Sequence, residues 1–231
     1  MEAAPCISHI ASLLAEPKRT AMLWALMDGS AKSSEELAAL AGLSPASAVA
    51  HLARLTGGGL LRSENRRGRR VFRVAAPDVS AAIDALANTT MASAARSRPD
   101  ASPPVLIAPL PLRHARLCNG HLGGELAAGL YQRMLAAGWI ERHEQRTDVT
   151  PKGAQHLAGL GIYTQALASP VACDCFDWSQ QLPHLGGALG AGLLQLFLQS
   201  NWVSLSKESQ GLHVNDSGTA EINRLAALEE P

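Results

Sequence analysis

The sequence predicts a mainly α-helical fold with small β-hairpins, and three observations predict it. Residues 33–74 follow the order helix, turn, helix, strand and basic hairpin. An apolar ten-residue pattern opening on His121 returns at His184, and this offset of 63 marks a duplicated unit. Between the two regions, Arg96 to Pro104 is polar, proline-rich and without periodicity, so it reads as a linker. The expected organisation is residues 1–95, a linker at 96–104, and residues 105–231 as two copies of about 105–167 and 168–231.

In the first region, Glu35 to Ala41 reads as a short amphipathic helix closed by a tight turn at Ala41-Gly42-Leu43. Ser44 suits an N-cap, because its hydroxyl can accept from a free backbone N–H, and Pro45 sits at the first helical position, where its missing donor costs nothing. On the second helix Val49, Leu52 and Leu55 recur every three residues and should face the core. Ser47, His51 and Arg54 then point outward. Gly57-Gly58-Gly59 stops the helix, Leu60-Leu61 starts a strand, and Arg62 to Arg70 reads as a hairpin returning along Val71 to Val74. This is the order of a winged helix-turn-helix, which reads duplex DNA with its second helix. An arginine run alone would read as a solvated edge. Six arginines against one glutamate in the twelve residues that follow a helix-turn-helix read instead as a phosphate-binding wing. The expected DNA contacts are Ser44, Ser47, His51 and Arg54 on the helix and Arg66, Arg67, Arg69 and Arg70 on the wing.

The stretch resembles the ArsR family of winged-helix repressors, from the helix pair around Ile10 to Arg19 through the wing to about Ala95, with Ser44 to Leu61 its most specific part. The resemblance implies a homodimer that reads a near-palindromic operator, an effector that lowers DNA affinity, and a terminal dimer helix at Pro77 to Ala95. On that helix Val79, Ile83, Leu86 and Ala87 would form the apolar face. Family members that sense metal often carry cysteines on the helix before the turn, or His and carboxylate ligands on the dimer helix. Here the first of these helices has no cysteine and the second has only Asp78 and Asp84, so neither metal site is expected.

Charge divides the chain where the linker does. Residues 1–98 hold 12 Lys/Arg and 8 Asp/Glu, whereas residues 99–231 hold 8 and 12, so DNA binding is expected of the first half. With no run of 18 apolar residues and no signal-like start, the reading is a soluble, cytoplasmic protein. In that reducing compartment Cys6, Cys118, Cys173 and Cys175 are expected to be free, metal-bound or redox-active rather than disulfide-bonded.

In the second half, His121 to Leu130 recurs as His184 to Leu193, Trp139 as Trp202, and Val149 to Gly153 as Val214 to Gly218. Each copy reads as a long apolar helix, a turn into a strand, a polar hairpin and a capped helix, the helix-plus-wing order without the arginines. A duplicated winged-helix-like domain for effector binding and assembly is therefore expected. The glycines of Leu122-Gly123-Gly124 and Leu185-Gly186-Gly187 allow close approach of another backbone or of a ligand. Just ahead of the repeated segments lie Cys118-Asn119-Gly120-His121 and Cys173-Asp174-Cys175-Phe176-Asp177-Trp178, the latter followed by His184. Some ArsR-like regulators of this length look similar here, which would make Cys118 and Cys175 the matched pair and Cys173 an addition. An effector site of Cys118, His121, Cys175, Trp178 and His184 is the expectation, and the metal-ligand candidates are Cys118, Cys173, Cys175, His121 and His184. Three readings stay open for them: buried structural groups with no cofactor, a metal or metalloid site, and a thiol switch or organic-ligand site.

Catalysis finds little support. Nucleophile-elbow, phosphate-loop and zinc-protease motifs are all missing, and Asp174 and Asp177 read as carboxylates that cap helices or bind arginine. The sequence thus reads as a DNA-binding transcriptional regulator controlled by an effector in its second half. The alternative is a stress sensor switched by Cys118/Cys175 chemistry, and an enzyme with an appended DNA-binding domain comes last.

Overall fold

Capping groups set the helix boundaries of the first 75 residues. The computed structural model describes residues 3–97, 110–143 and 146–227, so 98–104 of the expected linker lie outside the described residues. Helix α1 (Ala3–Leu14) is followed by α2 (Pro17–Trp24), whose free N–H groups at Lys18 and Arg19 are accepted by the Glu16 carboxylate. After the short β1 (Lys32–Ser33), α3 (Ser34–Ala41) opens on a reciprocal capping box. Ser33 Oγ accepts from the Glu36 N–H, and the Glu36 carboxylate accepts from the Ser33 N–H. Gly42 ends α3 in the left-handed region at φ 61°, a conformation that favours glycine. Helix α4 (Pro45–Gly57) starts at Ser44 and Pro45 as the sequence requires.

Strands β2 (Leu61–Arg66) and β3 (Arg69–Val74) form the wing, turning at Arg67-Gly68 with positive φ at both residues, the type I′ arrangement of a two-residue hairpin. β1 pairs with β3, giving a three-stranded sheet in the order β1-β3-β2. The core beneath it joins Met22, Leu37, Leu52, Leu55, Leu61 and Phe72. One expectation is corrected here. Val49 is 56% exposed, and Ala48 is buried in its place with Leu52 and Leu55. Ala48, Leu52 and Leu55 are spaced four and three apart and form one stripe, whereas a strict three-residue spacing drifts around the helix.

The chain divides into two compact units, Met1–Ile83 with Lys207–Gln210, and Asp84–Ser206 with Gly211–Pro231. Within the first unit Arg73, one of the six wing arginines, is buried. It pairs with Glu64 at 3.5 Å and Glu208 at 2.6 Å, so it does not face solvent with the others. Helix α5 (Pro77–Ser97) buries Ser80, Ile83, Asp84 and Ala87 along one stripe and leaves Leu86 52% exposed. The expected dimer face of Val79, Ile83, Leu86 and Ala87 is therefore split: Ile83 and Ala87 are covered by their own chain, and Val79 is partly covered by the first unit's core.

The second unit begins with α6 (Leu110–His114). Its first copy is the hairpin β4 (Arg116–Cys118) and β5 (His121–Gly123), helix α7 (Glu125–Ala136), the hairpin β6 (Ile140–His143) and β7 (Arg146–Val149), and helix α8 (Pro151–Gly159). The second repeats that order: β8 (Cys173–Asp177), β9 (Leu182–Gly186), α9 (Gly187–Gln199), β10 (Val203–Leu205), β11 (Leu212–Val214) and α10 (Asp216–Arg224). Helix, hairpin and capped helix recur as expected, and a further hairpin precedes each helix. The segments from His121 and His184 thus begin as strands, and the helices start only at Glu125 and Gly187.

The repeated glycines have a backbone purpose. Gly124 and Gly187 sit at φ 96° and 75°, where a Cβ would come within 3 Å of the carbonyls of Arg113 and Pro170 respectively. Deeper in each copy a Cβ on Gly153 or Gly218 would overlap the carbonyl of Trp139 or Trp202. Packing between the copies is reciprocal, with α7 against β9, α9 against β5, and β5 beside β9. Leu122, Leu130, Leu185 and Phe197 close that contact, leaving a space of about 10 Å³, room for at most one water. The two copies therefore pack closely at that point.

Candidate functional site

Two groups of residues carry the chemistry, one exposed and one buried. The exposed group lies on α4 and the wing. Ser44 caps α4, accepting from the Ser47 N–H at 3.3 Å, with the Ser47 hydroxyl 2.9 Å away. Ser47 and Arg54 are exposed. His51 differs. It is half-buried, with Nδ1 3.2 Å from a Glu16 carboxylate oxygen, because its position borders the buried stripe of Ala48, Leu52 and Leu55. The open face of α4 carries Ala46, Val49, Ala50 and Ala53 beside Ser47 and Arg54. On the wing Arg66, Arg67, Arg69 and Arg70 are all exposed. Glu64 holds Arg66 at 2.6 Å, and Arg70 lies 5.2 Å above the Phe72 ring while donating to Ser63. These contacts stiffen the wing without covering its charge.

The buried group forms where the two copies meet. In β4–β5 a two-residue turn, Asn119-Gly120, sets Cys118 opposite His121, and in β8–β9 Cys175 lies opposite His184. Directly opposed residues project on the same side of a hairpin. Each hairpin therefore offers one sulfur and one imidazole on one face, and the two faces converge. Cys118 Sγ lies 3.8 Å from Cys175 Sγ, His121 Nε2 lies 3.1 Å from His184 Nε2, and the four ligand atoms are all within 4.8 Å of one another. Cys118, His121 and His184 are buried, and Cys175 is partly so. The Cys175 contact and burial push the Cys118 thiol up to about 11, while the Cys175 thiol is lowered, chiefly by that same contact. The contact thus shifts the two thiols in opposite directions.

Cys173 is not part of this group. It stands two residues from Cys175 along β8, about 7 Å at strand rise, and lies opposite Gly186. Trp178 is buried against the group's surroundings instead of lining a cleft, with its ring N–H donating to Asp84 at 2.7 Å and Arg116 4.4 Å above its ring. The Cys6 side chain lies outside the described ones.

Sequence reasoning missed the charges around the cluster. Arg116 is fully buried between Asp84 at 3.0 Å and Asp177 at 3.0 Å. Burial alone would lower the Arg116 pKa, and the two carboxylates outweigh it and raise it. Asp177 also accepts from the Gly124 N–H at 2.6 Å and the Ser179 hydroxyl at 2.6 Å, and its second oxygen lies 3.7 Å from His184 Nδ1. Its carboxyl is held low although burial opposes that, Arg116 being the main cause. Asn88, one turn beyond Asp84 on α5, donates to Cys118 Sγ at 3.4 Å. The reading of Asp174 and Asp177 as arginine partners is correct, since Asp174 binds Arg142 at 2.6 Å. The signal for Arg116 and Asp84 was a charged residue inside an apolar stripe, which a single sequence does not pair with its partner.

Comparison with known proteins agrees with the first unit. A family model described as a helix-turn-helix domain matches residues 14–64, and the chain carries that domain. Over 217 residues, 93% of this chain and 94% of the relative, it is 29% identical to the uncharacterized HTH-type transcriptional regulator YdfF of Bacillus subtilis (strain 168). Among solved structures it is similar to the homodimeric winged helix-turn-helix DNA-binding domain of Mb0332 from Mycobacterium bovis, a possible ArsR-family regulator. The identity is 22%, the TM-score 0.37, and the match covers 43% of this chain and 88% of that one. NolR from Sinorhizobium fredii is similar at 24% identity and a TM-score of 0.36, over 38% of this chain and 87% of that one.

Proposed function

We propose that this chain is an ArsR-like, DNA-binding transcriptional regulator that acts as a homodimer on a near-palindromic operator. Residues 1–95 bind DNA and dimerise, and residues 105–231 form an effector and assembly domain. The observation that carries this reading is the open face of α4, on a helix capped by Ser44, together with the exposed wing arginines Arg66, Arg67, Arg69 and Arg70. Arg54 and Ser47 read base edges, and Arg66, Arg67, Arg69 and Arg70 hold phosphates. His51 orients α4 through Glu16 rather than touching a base. A single recognition helix reads one half-site, so two copies spaced by about 34 Å, one helical turn, are required for a palindrome. Leu86, exposed in mid-helix on α5, supplies an apolar contact for the second copy.

The test is selection of bound duplexes from a random library, followed by affinity measurements at several salt concentrations. Replacing both Arg67 and Arg69 with Ala should weaken every duplex alike and reduce the log–log salt slope by about 2, at about 0.9 per phosphate contact. Arg54→Ala should instead relax the choice among sequences. A protein that enriches no sequence and shifts no duplex at low salt is not a regulator of this kind. Leu86→Asp should lower both the dimer fraction in light scattering and operator affinity, and a variant unchanged in both removes α5 from the dimer contact.

A further inference from the structure

The pairing of a cysteine and a histidine in each of two hairpins has a consequence beyond packing. Four potential donors converge on one point in the protein interior, and two of them are imidazole nitrogens facing each other at 3.1 Å. Between two neutral imidazoles that contact is satisfied only if one ring presents N–H and the other a lone pair. A cation at the centre uses all four lone pairs at once. A tetrahedral site with Zn–S of about 2.3 Å and Zn–N of about 2.0 Å has edges of about 3.8 Å between sulfurs and about 3.3 Å between nitrogens. The observed edges are 3.8 Å and 3.1 Å.

The surroundings are those of a ligand set. Asp177 stands 3.7 Å from the far ring nitrogen of His184, beyond hydrogen-bond reach but on the side from which a carboxylate fixes the tautomer of a metal-bound imidazole. That nitrogen is fully buried and has no hydrogen bond among the described residues. The Asn88 amide donates to Cys118 Sγ, as a donor to a ligating thiolate does. Two sulfurs and two imidazoles select a borderline-soft cation over Mg(II) or Ca(II), which take oxygen ligands.

We propose that Cys118, His121, Cys175 and His184 form a four-coordinate site for one Zn(II)-class cation. With all four positions filled by protein, the site is structural or regulatory rather than catalytic. The cation ties the two repeat copies, and α5 through Asn88, to a single point.

The test uses the full chain, reduced and stripped of metal by chelation, and is read without DNA, so it stands or falls separately from the regulator reading. Co(II) titrated anaerobically should bind at one equivalent per chain. The intense visible bands of tetrahedral cobalt and a thiolate-to-metal charge-transfer band should appear, and one equivalent of Zn(II) should abolish both. Cys118→Ser should lose about half of the charge-transfer signal, since Cys175 remains, whereas Cys173→Ser should keep all of it. His184→Cys, which retains a ligand, should bind with a stronger charge-transfer band even if His184→Ala fails to fold. Asn88→Ala should weaken binding about 10-fold. The proposal is overturned if the folded, reduced wild type takes up no cobalt, if cobalt binds without the charge-transfer band, or if Cys118→Ser and Cys175→Ser bind as the wild type does. It is equally overturned if the metal-free chain yields only a Cys118–Cys175 disulfide and recovers no cobalt binding on reduction.

Discussion

The wing β2–β3 and the hairpins β4–β5 and β8–β9 are the same local element put to opposite use. The wing and β4–β5 close on two-residue turns, with Arg67-Gly68 and Asn119-Gly120 at positive φ, and β8–β9 closes on the four residues 178–181. The wing holds its arginines in solvent, steadied by Glu64, Ser63 and Phe72. The other two turn Cys, His and Asp inward, where the buried Arg116 is matched by Asp84 and Asp177, each at 3.0 Å. Charge on the wing is left open to solvent, whereas charge beneath β4–β5 and β8–β9 is buried in ion pairs. The same substitution chemistry should therefore read out differently in the two places.

The largest effect is expected at Arg116. Removing it leaves Asp84 and Asp177 buried without their cation, so Arg116→Ala should cost about 3–5 kcal/mol in denaturant unfolding. An unfolding midpoint equal to the wild type's would erase the distinction between buried and exposed hairpin charge. Next come Gly153→Ala and Gly218→Ala, where the new methyl meets a tryptophan carbonyl in each copy, at about 1–3 kcal/mol or more apiece. Gly159→Ala on the same helix as Gly153 meets open space and should be neutral or slightly stabilising. If Gly153→Ala and Gly218→Ala differ widely, the two copies are less alike than their backbones are. Ser44→Ala, which removes the α4 cap, should cost about 1 kcal/mol and lower DNA affinity with it. Smallest is the stability change in the Arg67→Ala, Arg69→Ala double variant, expected within about 0.5 kcal/mol while DNA binding falls. A wing variant that unfolds the protein would mean that those arginines hold the fold.

The sequence by itself determined whatever rests on neighbours along the chain. Ser33 with Glu36, Gly42, Ser44 with Pro45, and Arg67-Gly68 fix their caps and turns through atoms a few residues away, so their types are enough to read them. The offset of 63 was likewise readable, and with it the matched positions of His121 and His184, whereas Cys118 and Cys175, 57 residues apart, were matched only by the family resemblance. Tertiary structure decided which of these side chains share a point. Cys173 and Cys175 sit on the same strand, yet one strand step leaves only Cys175 within ligand reach of Cys118. Val49 and His51 depended on where the rest of the core lay, since a helix period fixes a stripe but not which way it turns. Asp84 and Arg116 are 32 residues apart, and Asp177 is a further 61. Their meeting is set by loop closure and by burial of the apolar surface around them, and no local signal in the chain carries that information.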